Sequence, residues 1–243
     1  MSSRTELPTL RHRLPLGCRL AAVLAAALAC GSAWAQTATI KAGHTELSLP
    51  AGMQVYNVPL KRAYTGGDPV RIDRQLVLLS GSGGAPVAAL LIESTREAGR
   101  FIWTESCKKL NNDAHTYVHS PFHAMGNECV FAVGRLDLAA VIGRSFPEVA
   151  DTLKDGGQPV PEGAGYVVKS TYAASSGSML SVTAFVREAH AQLPTPPESM
   201  PDDTGVPASV VAWARALNDQ TRGAMRSFSG AWQLPSLQGR SAE

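Results

Sequence analysis

Charge is scarce in this 243-residue chain. Asp, Glu, Lys and Arg make up 17% of it, and aromatic residues only 6%. Beside 44% apolar residues, that scarcity excludes a chain too polar to build a core. No segment carries a basic stripe, so a nucleic-acid partner is not expected. Beyond the N-terminus no apolar run approaches the ~20 residues of a membrane-spanning helix, so the processed chain is expected to lack a transmembrane segment. Cysteines number four, and two of them, Cys18 and Cys30, precede residue 36. Cofactor fingerprints are missing too. Ser80-Gly81-Ser82-Gly83-Gly84 follows a strand-like run, but a second such run comes next. No helix N-terminus stands there to hold a phosphate, and the stretch reads as a hairpin turn.

What is present begins with residues 1–35. Arg4, Arg11, Arg13 and Arg19 are followed by the apolar run Leu20 to Cys30 and then by Ala33-Trp34-Ala35. Basic, apolar and small residues in that order predict a secretory signal cleaved after Ala35. The protein is then expected in the periplasm or outside the cell. Leu28-Ala29-Cys30 offers an alternative, a lipoprotein anchored at Cys30. Losing four arginines and one glutamate would leave 18 basic against 19 acidic residues, so the slight basic excess belongs to the leader.

The two later cysteines, Cys107 and Cys129, bracket His115, His119 and His123, which are spaced four apart. In an oxidising compartment two cysteines are expected to form a disulfide. Closing that loop would stabilise the fold by roughly 3 kcal/mol. A bridged sulfur is then neither nucleophile nor metal ligand. The histidines permit a second reading, a zinc or copper site to which Met125 could add a soft ligand. Thr116-Tyr117-Val118 is a poor helix former, however, and in an extended chain residues four apart lie ~13 Å from one another. Only a folded-back loop would converge them.

Other motifs carry less. Ser106-Cys107-Lys108-Lys109 spells Ser-x-x-Lys, but no Ser-Asp-Asn or Lys-Thr-Gly accompanies it and Cys107 is expected to be bridged. Glu93 with Glu97, and Asp202 with Asp203, are expected on solvated surface rather than in acid–base pairs.

Alternation and turn residues predict strands at 38–43, 45–50, 74–80, 86–94, 100–105, 128–134, 166–174 and 178–188. In 178–188, Leu180, Val182, Ala184 and Val186 alternate with Ser181, Thr183 and Arg187, which predicts a half-buried strand. The stretch up to Pro69 is punctuated by Pro and Gly. A short helix is expected at 136–142. Another should start at Ser145-Phe146-Pro147-Glu148, where Ser and Glu stand as in a capping box. Val210, Trp213, Ala214, Leu217, Thr221, Ala224, Met225 and Phe228 form one stripe of a helix from about Pro207 to Phe228, with Arg215, Asn218, Asp219 and Arg222 facing away. Trp232 is expected to dock.

These elements predict an α+β fold: an antiparallel sheet of about six to eight strands with two helical segments packed on one face and one disulfide-tied loop. Four parts are expected. Residues 1–35 are the signal, 36–188 the main α+β domain, 189–206 a Pro-rich connection, and 207–243 a C-terminal helix that packs on the domain, plus a tail. The functional expectation is an exported, non-catalytic binding or envelope-accessory module with no cofactor; its partner is left open, an envelope protein being one candidate. The alternative is a zinc- or copper-binding protein or metalloenzyme using His115, His119 and His123.

Overall fold

The structure is a computed structural model. It describes residues 39–42, 45–49, 53–63, 70–80, 86–95, 116–119, 122–123, 126–174, 177–190, 205–227 and 232–235. Among them, ten strands and three α-helices build a mixed α+β unit. The strands are β1 (Thr39–Ala42), β2 (Thr45–Ser48), β3 (Gln54–Ala63), β4 (Val70–Ser80), β5 (Pro86–Thr95), β6 (Thr116–His119), β7 (Phe122–His123), β8 (Gly126–Asp137), β9 (Ala164–Ala174) and β10 (Met179–Arg187). The helices are α1 (Leu138–Ser145), α2 (Pro147–Asp155) and α3 (Ala208–Arg226).

β1 and β2 form a separate hairpin. The other eight strands make one antiparallel sheet in the order β3-β4-β5-β10-β9-β8-β6, with β7 also pairing β8. The chain lays down β3, β4 and β5 as a meander. After an excursion it returns from the far edge, so that β10 closes against β5 in the middle.

Two helical segments do lie on one face, but α3 covers the other, and the sheet is the middle of three layers. Leu138 and Ile142 of α1 and Val149 and Leu153 of α2 pack on Leu76, Leu78, Leu91, Val167 and Phe185. On the opposite face, Val210, Trp213, Ala214 and Leu217 of α3 pack on Val130, Val168, Val182 and Ala184, joined by Ile40 and Leu47 of the hairpin. Burying one such Leu or Val side chain is worth ~1.5–3 kcal/mol.

The third layer corrects one strand expectation. β10 is buried on both faces from Met179 to Val186, not half-buried. Ser181 is tolerated there because its hydroxyl meets that of Thr171 at 2.9 Å.

Several boundaries also move. β3 is a ten-residue strand inside the stretch read as punctuated loop. Pro59 falls at its bulge between Val58 and Lys61, on a strand whose other side has no neighbour among the described residues, where a missing N–H does no harm. Leu136 and Asp137 stay in β8, paired with Gly165 and Ala164, so α1 starts two residues later than expected. Asp137 caps it by accepting from the Ala140 N–H at 3.3 Å. The Ser145–Glu148 capping box does not form. Ser145 is the last residue of α1, Phe146 precedes α2 without a side-chain cap, and the Glu148 carboxylate is taken by Arg74. Pro147 does occupy the first turn of α2. α1 packs tightly on β9: a Cβ at Gly165 would lie 2.5 Å from Leu138 Cδ1 and from the Val186 carbonyl oxygen.

The apolar stripe of α3 is buried at Val210, Trp213, Ala214, Leu217, Thr221 and Ala224. Asn218, expected to face away, is buried and accepts from the Ser170 hydroxyl at 3.1 Å. Arg222 likewise turns to the sheet, where its Nη1 donates to both oxygens of the buried Glu128 at 2.9 and 3.2 Å. Trp232 is buried, and the tail is held by the Trp213 indole N–H, which donates to the Pro235 carbonyl at 3.1 Å. Residues 1–35, the strand expected at 100–105, Cys107 and most of the Pro-rich connection lie outside the described residues.

Candidate functional site

His115 and Met125 lie outside the described residues. His119 ends β6 opposite Val130, and His123 sits in β7 opposite Gly126. Cys129 is buried in β8 opposite Thr171. Among the described residues, no group of three or more His, Cys, Asp or Glu side chains is placed to hold a metal ion.

Two other places gather polar groups. The first is under the helices α1 and α2. Arg74 of β4 is buried and stands opposite Glu93 of β5. Its Nε is 3.1 Å from Glu93 Oε1, but off the hydrogen-bond direction. Its Nη2 donates to Glu148 Oε1 from the first turn of α2. Glu93 is therefore not solvated surface, as its place at a strand end had suggested. Burial pushes the Glu148 pKa up. Its own backbone hydrogen bond, the Arg74 hydrogen bond and charge, and the Lys61 charge outweigh that and hold it below the ordinary value.

Lys169 of β9 projects to the same face and stands opposite Thr183 of β10. Burial pushes its ammonium pKa down. The Glu93 carboxylate pulls it back up, while Lys61 and Arg74 add to the depression. Thr183 Oγ1 is buried without a hydrogen-bond partner. The cluster ties α2 to the sheet centre, because removing any one charge would leave another buried and uncompensated.

The second place is a cleft of about 260 Å³ on the opposite face, beside β1. Thr39, Lys41, Asp73, Gln75 and Ser94 supply its polar wall. Ile40 and Ile92, both buried core residues, supply the apolar part. The sheet places four of these together by register, since Asp73 pairs with Ser94 and Gln75 with Ile92. β1 is held over them by the Ser94 hydroxyl, which donates to the Lys41 carbonyl at 2.6 Å. Asp73 Oδ1 also meets Arg71 Nε at 3.3 Å. Gln75 Oε1 is buried and has no hydrogen-bond partner. An acceptor left in that state costs about 1–3 kcal/mol, so a ligand that donates to it gains more than an ordinary surface contact.

The cleft residues were not singled out in the sequence. The signal that could have found them is the polar series Arg71, Asp73 and Gln75 at every second position of a strand otherwise rich in Leu and Val. It marks a polar half-face on a buried sheet, but not the hairpin strand that closes over it.

No protein-family model, curated protein or solved structure matches this chain.

Proposed function

We propose that the chain is an exported binding or envelope-accessory module that acts by holding a partner rather than by transforming a substrate. The observation that carries this is the cleft beside β1, where the buried, unpartnered Gln75 Oε1 stands in one small space lined also by Thr39, Ile40, Lys41, Asp73, Ile92 and Ser94. Small-molecule sites have this mixture of an apolar wall and a few convergent polar groups. Export rests on the order of residue types in 1–35, with cleavage after Ala35, and the module works in the periplasm beside envelope proteins.

A Cys107–Cys129 bridge belongs to the same proposal. It is supported by the oxidising compartment that the leader implies, in which two cysteines pair by default. Cys107 is the one other cysteine outside the expected leader.

Native mass spectrometry without reductant, on protein taken from the periplasm, tests this. The expected species starts at Gln36, is two hydrogens light, and carries a small molecule that the Gln75→Leu variant does not retain. A zinc or copper ion carried instead, and lost when His115, His119 and His123 become Ala, would replace this proposal by the metal-binding one. Protein found only in the cytoplasm would overturn the exported module.

A further inference from the structure

We propose that the free edge of β1 takes a short peptide in extended conformation, bound as an added strand, with an apolar residue facing the sheet and acidic residues facing solvent. This rests on the binding function proposed above and names its ligand class.

Register fixes which backbone groups of β1 face the cleft. In the hairpin of β1 and β2, Ala42 stands opposite Thr45 with two residues between them. Residues that flank a two-residue turn exchange both hydrogen bonds, and bonded and non-bonded pairs then alternate along the ladder. Ala42 with Thr45 and Ile40 with Leu47 are therefore bonded pairs, while Lys41 with Glu46 and Thr39 with Ser48 are not. The N–H and C=O groups of Thr39 and Lys41 thus point away from β2. The Lys41 carbonyl fits that direction, since it accepts from Ser94 of the large sheet. Among the described residues no strand but β2 pairs with β1. The Thr39 N–H, the Thr39 C=O and the Lys41 N–H are left on this edge, and Thr39, Ile40 and Lys41 all line the cleft.

A donor, an acceptor and a donor at strand spacing match a peptide backbone, which offers the complementary series in return. The pattern of its side chains follows from β1. Ile40 is buried in the core, while Thr39 and Lys41 are exposed. A residue laid beside Ile40 faces the floor at Ile92, and one laid beside Lys41 faces solvent, where a carboxylate suits the lysine across the pair. The middle N–H of the peptide points away from β1. β4 is the next strand over, ~4.8 Å from β5. There Gln75 Oε1 stands without a donor and suits that N–H. The cleft of about 260 Å³ equals roughly nine liquid waters, enough for a segment of about three residues and not for a folded partner. A sugar also donates and accepts, but it has no N–H and C=O groups at strand spacing.

Isothermal titration of the full-length chain, as it accumulates in the expressing cell, tests the proposal with three probes. The first is N-acetyl-Glu-Val-Glu-amide, whose symmetry presents valine to the sheet in either strand direction. The second is the same peptide N-methylated at both glutamates, which lacks the N–H groups that would face β1. The third reverses the pattern, N-acetyl-Val-Glu-Val-amide. The first is expected to bind at least about tenfold more tightly than the other two. Thr39→Pro removes an N–H that no hairpin bond uses, and should weaken the first probe about tenfold. Should that variant unfold, the methylated probe carries the test on the parent chain. If the methylated or the reversed peptide binds as tightly as the first, or if a folded Thr39→Pro variant binds unchanged, the added strand is wrong and the binding function stands. If none of the three binds while native mass spectrometry still shows a small molecule that Gln75→Leu loses, the peptide falls alone. If no small molecule is retained either, both fall.

Discussion

Replacing Arg74 by Met removes one positive charge from a buried cluster of two carboxylates and two cations. Arg74 lies between Glu93 and Glu148, and its side chain is 6% exposed against 11% and 29% for theirs. Met keeps the length and apolar volume of the stem, so the loss is electrostatic. Breaking a buried pair by removing one partner costs about 3–5 kcal/mol, because the remaining charge stays out of water. With a urea m-value of about 2 kcal/mol/M, that lowers the unfolding midpoint by roughly 1.5–2.5 M. The assay is urea unfolding followed by circular dichroism at pH 7. The triple variant Arg74→Met, Glu93→Leu, Glu148→Ala removes the stranded carboxylates as well and is expected to recover most of the loss. A single variant within about 1 kcal/mol of the parent, or a triple variant no better than the single one, would refute the idea that this cluster is a coupled buried unit.

Three further outcomes are expected. The Glu148→Gln variant should be less stable than the parent at pH 7. Since the folded-state pKa of Glu148 is lowered from 4.5, that gap is full above the unfolded value and closes as pH falls through the folded one; a gap constant from pH 7 to 2 would contradict it. Gly165→Ala should cost about 1–3 kcal/mol by forcing Leu138 and the Val186 carbonyl away, read as a drop in thermal midpoint, and an unchanged midpoint would show that α1 moves freely on the sheet. Asn218→Leu should cost about 1–3 kcal/mol by stranding the buried Ser170 hydroxyl, and adding Ser170→Ala should restore part of it; a double variant that gains nothing would place the cost in packing.

Most strands were legible because each pairs a run of apolar residues with a turn at its end. Two hairpins of the sheet, β4–β5 and β9–β10, stand where alternation and Gly or Ser clusters put them. β3 was not legible because Pro59 argues against a strand unless one knows that the strand lies at an edge. The burial of β10 was hidden for a related reason. Ser181 and Thr183 look like a solvent face until a second helical layer covers them, and Lys169 and Arg74 hide in the same way. The capping box at Ser145 was present in the letters, yet Arg74, 74 residues from Glu148, competed successfully for the carboxylate.

By itself the sequence determined the type of most elements. The periods of two and 3.6, the proline at the start of α2 and the apolar stripe of α3 are local properties, and local backbone preference acts on them directly. The tertiary structure alone decided which face each helix covers, which charged residues are buried, and that Lys41 and Thr39 stand beside Asp73, Gln75 and Ser94. Those outcomes depend on strand order and register, which bring together residues more than 30 positions apart. No local preference encodes them, because they are fixed by how the whole apolar surface of the sheet is best removed from water.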